Sequence, residues 1–155
     1  MSGDPEAVPG VPVSEMVVAW SLLVAACAAG ALVTGEFGRT SLRFGAPLLL
    51  VGGLLALAAV RSLGRGRELA TRGPYRWVRH PYYVGILLML VGAIIAMRSL
   101  PALILLYPTV RVTVQRARRE EHNLALRFGE TYLAYRERVA FLLPTRPPLP
   151  RSWPC

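Results

Sequence analysis

The sequence predicts an all-α integral membrane protein of about four transmembrane helices, two of them forming a short helical hairpin, followed by an amphipathic C-terminal helix on the cytoplasmic side. Three observations carry this prediction. Apolar residues make up 54% of the 155 positions and mean hydropathy is +0.42, both high for a water-soluble domain. The apolar residues are gathered into four uncharged runs, at 16–34, 44–60, 83–97 and 100–110. All 18 basic residues are arginine, they give a formal net charge of +9, and they punctuate the runs instead of interrupting them.

Taken in order, residues 1–15 are rich in Pro, Gly and Val and are expected to be a disordered tail. They lack the basic start of a secretory signal. The run 16–34 is long enough to cross a bilayer. A polar loop at 35–43 leads to the second run, in which Gly52-Gly53 would let another helix come close. Residues 61–79 form a basic connection with six arginines, in which Gly64-Arg65-Gly66 is a flexible joint. The runs 83–97 and 100–110 are short for full spans. Only Arg98-Ser99 separates them, which predicts a tight hairpin whose second arm, extending toward 114, starts or kinks at Pro101 and Pro108.

The arginines orient the chain. With four crossings, the N-terminus, the 61–79 connection and the C-terminal region share one side, which holds those six arginines and nine more from Arg111 onward. The other side holds Arg39, Arg43 and Arg98. The positive-inside rule therefore places both termini in the cytoplasm. Absence of lysine points to a GC-rich genome, hence to a bacterium and its cytoplasmic membrane. Arginines set between apolar runs fit an anionic membrane as partner and argue against nucleic acid. Cys27 and Cys155 form neither a disulfide framework nor a metal set.

Residues 115–139 read as a charged helix whose apolar stripe is Leu124, Phe128, Tyr132 and Tyr135. Extended backward by fours, that stripe reaches Glu120 and Arg116, so a carboxylate and a guanidinium lie on the packing face. An ordinary i,i+4 ion pair explains the two residues equally well. The Pro-rich 145–155 segment is an extended tail.

The densest chemistry lies in G-P-Y-R-W-V-R-H-P-Y-Y-V-G, residues 73–85. Pro74 and Pro81 push Gly73 and His80 away from helical geometry, so His80 sits on irregular backbone where an apolar helix begins. An interfacial aromatic and arginine anchor would use the same residue types. No glycine-rich phosphate motif and no His-Glu-x-x-His zinc helix occurs, and the only Asp, Asp4, lies in the tail, away from any triad. What remains is one His, several Tyr and an Arg/Glu pair at the cytoplasmic face of a small bundle. Such a set suits a polar, zwitterionic cofactor: Glu for an ammonium, Arg for an oxyanion, aromatic faces for a purine or a sulfonium. Residue chemistry alone thus leads to a membrane-embedded binding or transfer site for a polar cofactor and a lipid-like acceptor.

Residues 73–85 resemble the signature of the isoprenylcysteine carboxyl methyltransferase family. The later E-E-H-N-L-A-L-R-F-G-E-T-Y-L-A-Y-R-E-R-V-A-F-L-L-P resembles the second motif of that family, and the related phospholipid N-methyltransferases share its double Glu. The resemblance covers about 44–144 and implies a membrane methyltransferase domain over 16–144 that uses S-adenosyl-L-methionine without a Rossmann fold. It implies cofactor contacts from Tyr75, His80, Pro81, Tyr82, Tyr83 and Glu120, with backbone around residues 67–70 as a further contact. It implies that Arg116 faces the acceptor as the catalytic residue. His122-Asn123 is more polar than the family pattern at that place. The lipophilic acceptor is expected to enter from the bilayer. Prenylated proteins are unexpected in a bacterium, so the favoured reaction is O-methylation of a long-chain phenolic or pyrone lipid, beside an isoprenylcysteine-like carboxylate. The alternatives are phosphatidylethanolamine N-methylation and a scaffold that has kept the fold and lost the chemistry.

Overall fold

In the computed structural model, which describes residues 13–34, 39–63, 69–150 and 153, five α-helices follow one another. They are α1 (Val13–Thr34), α2 (Arg39–Ser62), α3 (Pro81–Met97), α4 (Leu100–Phe128) and α5 (Glu130–Arg138), with a single 3-10 turn at Gly73–Arg76 before α3. Among the described residues there is no strand, only one isolated parallel bridge from Val78 to Ala140. The expected disordered tail, apart from its last three residues, lies outside the described residues, as do the Gly64-Arg65-Gly66 joint and Arg67.

Among the described residues, Ser41–Ser62 is long and apolar enough to cross a membrane, while Ser14–Gly30 and Pro81–Met97 are shorter apolar helices. The fourth apolar run is the first third of α4. Leu22, Leu50, Val51 and Leu54 are all more than half exposed, although they sit mid-helix. Exposed aliphatic surface on this scale is unfavourable against water and suits a lipid surround.

Two glycine pairs bring the backbones of α2 and α3 into contact. Gly45 and Gly52 of α2 face Gly92 and Gly85 of α3, each pair seven residues apart and therefore two helical turns along one face. A methyl group at Gly45 would fall 2.5 Å from the Gly92 carbonyl oxygen, and one at Gly52 would fall 2.6 Å from the Gly85 carbonyl oxygen. The two backbones thus touch with no side chain between them, as small residues allow in membrane helices. Gly52 does what the sequence predicted; its neighbour Gly53 faces away, with only the Met89 sulfur at 3.9 Å.

The hairpin turn is as short as predicted, with Arg98 in the left-handed region (φ 49°) and Ser99 capping α4 through its hydroxyl and the Ala102 N–H at 3.3 Å. Its arms, however, pack on different partners. The small-residue face of α3 is occupied by α2, so α4 lies mainly on α1. There Trp20 Nε1 donates to Thr113 Oγ1 at 3.2 Å, and the Ser99 hydroxyl donates to the Ala26 carbonyl at 2.9 Å.

The charged helix predicted over 115–139 differs in two ways. It is continuous with the fourth apolar run, because Pro108 stays inside α4. It is also broken at Gly129, whose φ of 52° and ψ of −131° suit glycine and end the helix. α5 then carries Tyr132 and Tyr135 into a second core with Leu69, Val139 and Leu149.

Gly85→Ala should therefore force the α2 and α3 backbones apart, since its methyl would lie 2.7 Å from the Ala56 nitrogen. The expected cost is about 1–3 kcal/mol, as for an overpacked core. Gly53→Ala, with open space around it, should be neutral or stabilising by up to about 1 kcal/mol. Unfolding midpoints of the two variants in detergent check both signs.

Candidate functional site

The 73–85 segment is shaped by its two prolines. Gly73 takes a positive φ of 58°, Pro74 opens the 3-10 turn, and Tyr75 is carried inward to 9% exposure. His80 caps α3 at φ −123°, ψ 58°, neither helical nor extended, because Pro81 excludes helical geometry before it. Pro81 itself is fully buried as the first residue of α3, and Tyr82 and Tyr83 occupy its first turn.

This backbone is irregular, and its polar groups are answered from the C-terminal end of the chain. The Tyr135 hydroxyl donates to the Tyr75 carbonyl at 2.8 Å, and the Arg79 N–H donates to the Ala140 carbonyl at 2.9 Å.

α4 presents two adjacent carboxylates. Successive helical residues point about 100° apart, so Glu120 and Glu121 reach different partners. Glu120 Oε2 accepts from the Tyr83 hydroxyl at 3.0 Å. Arg116, one turn earlier on the same face, stands beside that hydroxyl, so the two α4 residues four apart converge on Tyr83. Glu121 Oε1 lies 3.3 Å from His80 Nε2 and 3.0 Å from Arg79 Nε. The edge of the Phe141 ring closes over His80 with the centroids 5.1 Å apart.

Between these elements lies a cavity of about 220 Å³. Its polar floor is Glu120 with the tyrosines 75, 82 and 83 and His80; its far wall is Leu124, Arg127, Phe128, Tyr132 and Tyr135. Five of the six residues predicted to touch a cofactor line it. Pro81 does not: it is buried behind the wall and fixes the start of α3. Arg116 is not part of the lining but stands beside Tyr83. Of the further 67–70 contact, Leu69 and Ala70 line the cavity, and Arg67 and Glu68 lie outside the described residues.

Sequence reasoning did not find Arg79, Glu121 or Arg127. It read Phe128, Tyr132 and Tyr135 as packing alone; their place on the same stripe as Glu120 was the signal that they would face the same space.

Burial, and then the charge of Glu120, push the Tyr75 phenol up to about 12. Near neutral pH it is an un-ionised hydrogen-bond donor, not a base. Burial works to raise the Glu121 carboxyl, but the hydrogen bond from His80 and the Arg79 guanidinium outweigh it and hold it below the usual carboxylate range. The donor set fits a zwitterionic ligand with a flat ring: aromatic faces for the ring or a cation, the Glu120 carboxylate for an ammonium, the Arg127 guanidinium for a carboxylate.

A second hollow, apolar and of about 560 Å³, lies outside the Phe141 partition, between α3 and α4. Val84, Leu87, Leu88 and Val91 line one side; Val114 and Arg118 line the other, with Leu142 and Leu143 at its end.

Residues 48–126 match the family model described as the isoprenylcysteine carboxyl methyltransferase (ICMT) family. Two curated proteins of Arabidopsis thaliana are similar. The chain is 32% identical over 114 residues to protein-S-isoprenylcysteine O-methyltransferase A, covering 65% of this chain and 58% of the relative. It is 29% identical over 109 residues to protein-S-isoprenylcysteine O-methyltransferase B, covering 62% of this chain and 55% of the relative. The chain thus spans a little over half the length of the curated relatives it matches. No solved structure matches it at comparable significance.

Because the Glu121 carboxyl is held low in the fold, its contribution to stability is present above the ordinary carboxylate pKa of about 4 and is lost as pH falls through its folded value. Glu121→Gln should lower the unfolding midpoint at neutral pH and flatten its decline in acid. Thermal melts of both proteins across the acid range check this; parallel curves would refute the role of the Arg79–Glu121–His80 cluster.

Proposed function

Since the chain belongs to the isoprenylcysteine carboxyl methyltransferase family, we propose that it is an integral membrane methyltransferase that binds S-adenosyl-L-methionine and methylates an oxygen on a lipophilic acceptor. The observation that carries this reading is the Glu120 carboxylate held by the Tyr83 hydroxyl in an aromatic cavity, with Arg116 beside the same hydroxyl. When bound, the cofactor supplies an electrophilic methyl group on a sulfonium. Glu120 takes its ammonium, Arg127 its carboxylate, and the rings of Tyr75, Tyr82 and Tyr83 its flat and cationic parts.

The protein's own contribution is positioning and exclusion of water. Holding two reactants in line is worth several kcal/mol on its own, on the order of 7–11 in the best intramolecular cases. His80, tied to Glu121 and covered by Phe141, fixes the wall between the cavity and the apolar hollow. Arg116 holds the acceptor oxygen as its anion, lowering the pKa of an acidic hydroxyl or pairing with a carboxylate. The acceptor's chain lies in the hollow along Val84, Leu87 and Val91, entered from the bilayer.

A phenolic or pyrone hydroxyl on a long alkyl chain and an isoprenylcysteine-like carboxylate both meet these demands. An amine gains nothing from a nearby guanidinium, so phosphatidylethanolamine N-methylation is disfavoured. Tyr75, His80, Tyr83 and Glu120 are all at the cavity, which weighs against a scaffold that has lost its chemistry. The arginine distribution supports four crossings with both termini cytoplasmic, and the all-arginine composition supports a bacterial cytoplasmic membrane.

Full-length protein in detergent should bind S-adenosylhomocysteine by calorimetry. Glu120→Ala should weaken that binding about 10- to 100-fold, the worth of one charge-assisted hydrogen bond. A well-folded wild type that gives no heat would refute the enzyme reading.

Arg116→Ala should leave cofactor affinity within a few-fold and remove most turnover. Mass spectrometry of lipids from expressing cells, with a farnesylcysteine analogue as a second substrate, separates the acceptors: a new O-methyl product is expected. Methylated phosphatidylethanolamines without one would overturn the choice.

A further inference from the structure

Arg76 lies in the 3-10 turn next to Tyr75 yet does not line the cavity. Its guanidinium instead donates from Nε at 2.7 Å, and also from Nη2, to the carbonyl of Leu149. The Leu149 N–H in return donates to the Arg76 carbonyl at 3.0 Å. Residues 73 places apart are thus joined by three hydrogen bonds between two residues.

Leu149 suits this role. It sits in Pro147-Pro148-Leu149-Pro150, so its N–H is the only backbone donor in that stretch, and that donor is used on Arg76. Flanking prolines restrict the segment to extended geometry before it docks. The Leu149 side chain is 2% exposed, packed against Tyr132 and Tyr135 of the cavity wall. Beyond it, the Trp153 ring lies under Arg138 at 4.5 Å and holds the segment to α5.

A four-residue 3-10 turn has little stability of its own. The backbone bonds at its two ends run from the Tyr75 N–H to the Arg72 carbonyl at 3.2 Å, and from the Trp77 and Val78 N–H groups to the Pro74 carbonyl at 3.1 and 3.3 Å. The carbonyls of Tyr75 and Arg76 are both bonded from the C-terminal end, by Tyr135 and Leu149.

We infer that Leu149 and Arg76 form a clamp that makes the C-terminal segment a working part of the ligand cavity, with Arg76 the positioning residue that sets Tyr75. The inference rests on the cofactor reading above. It assigns the Pro-rich end a function that membrane charge or tail disorder does not require.

The test uses full-length protein in detergent, S-adenosylhomocysteine as probe, and three variants: Arg76→Ala, Arg76→Lys and deletion of residues 149–155. Arg76→Ala and the deletion should each weaken binding about tenfold, the loss of one or two hydrogen bonds' worth of positioning. In turnover they should raise the cofactor KM while kcat at saturating cofactor and the acceptor KM hold. Arg76→Lys, which keeps one donor, should recover part of the loss. Hydrogen exchange without ligand should speed up at residues 75–78 and stay unchanged in α2 and α3. If Arg76→Ala does not fold, the deletion carries the same readings. Affinity within twofold of wild type in the folded variants overturns the clamp. Should the wild type bind no cofactor, the enzyme reading fails by itself; unchanged exchange at 75–78 would then separately overturn the clamp, and faster exchange there would support it.

Discussion

The bare backbone contact between α2 and α3 is the constraint on which the rest depends. Gly45 against Gly92 and Gly52 against Gly85 bring the two backbones into direct contact, with no room for a methyl group at any of the four positions. That contact fixes α3 along its length, and α3 begins at Pro81. The position of His80, Tyr82 and Tyr83 is therefore decided about one and three turns deeper, at residues with no side chain. Occupying the small-residue face of α3 also leaves an adjoining face, with Val84, Leu87 and Val91, for the apolar hollow, while α4 lies mainly on α1.

α4 then couples the apolar part of the molecule to the polar site in one rigid element of 29 residues. Its apolar end is capped by Ser99 and held to α1 through Ala26 and Trp20. Its charged end delivers Arg116, Glu120 and Glu121 to the start of α3. The two glutamates divide their work by helical geometry alone. Glu121 is committed to Arg79 and His80, where paired charges offset the cost of partial burial. Glu120 accepts from Tyr83 and lines the cavity.

Irregular backbone between apolar helices must have its polar groups answered by protein. In this chain the answer comes from far along the sequence. Tyr135, Ala140 and Leu149 between them bond the carbonyls of Tyr75 and Arg76 and the N–H of Arg79. Gly129 makes this possible: its left-handed turn breaks the charged helix and folds α5 and the following segment back over residues 73–80.

Much of this was legible in the sequence. Uncharged runs marked the apolar helices, and two prolines marked His80 as a non-helical cap. The stripe from Arg116 through Glu120 to Tyr135 named one face, and that face did meet the 73–85 segment. These features are local, set by φ restriction and by the period of a helix. The pairing of Gly85 with Gly52, the choice of His80 by Glu121, the convergence of Arg116 and Glu120 on Tyr83 and the docking of Leu149 on Arg76 were decided only by the tertiary structure. Each joins residues dozens of positions apart, and which partner a glycine face or a carboxylate meets depends on how whole helices pack, which residue type and spacing do not encode.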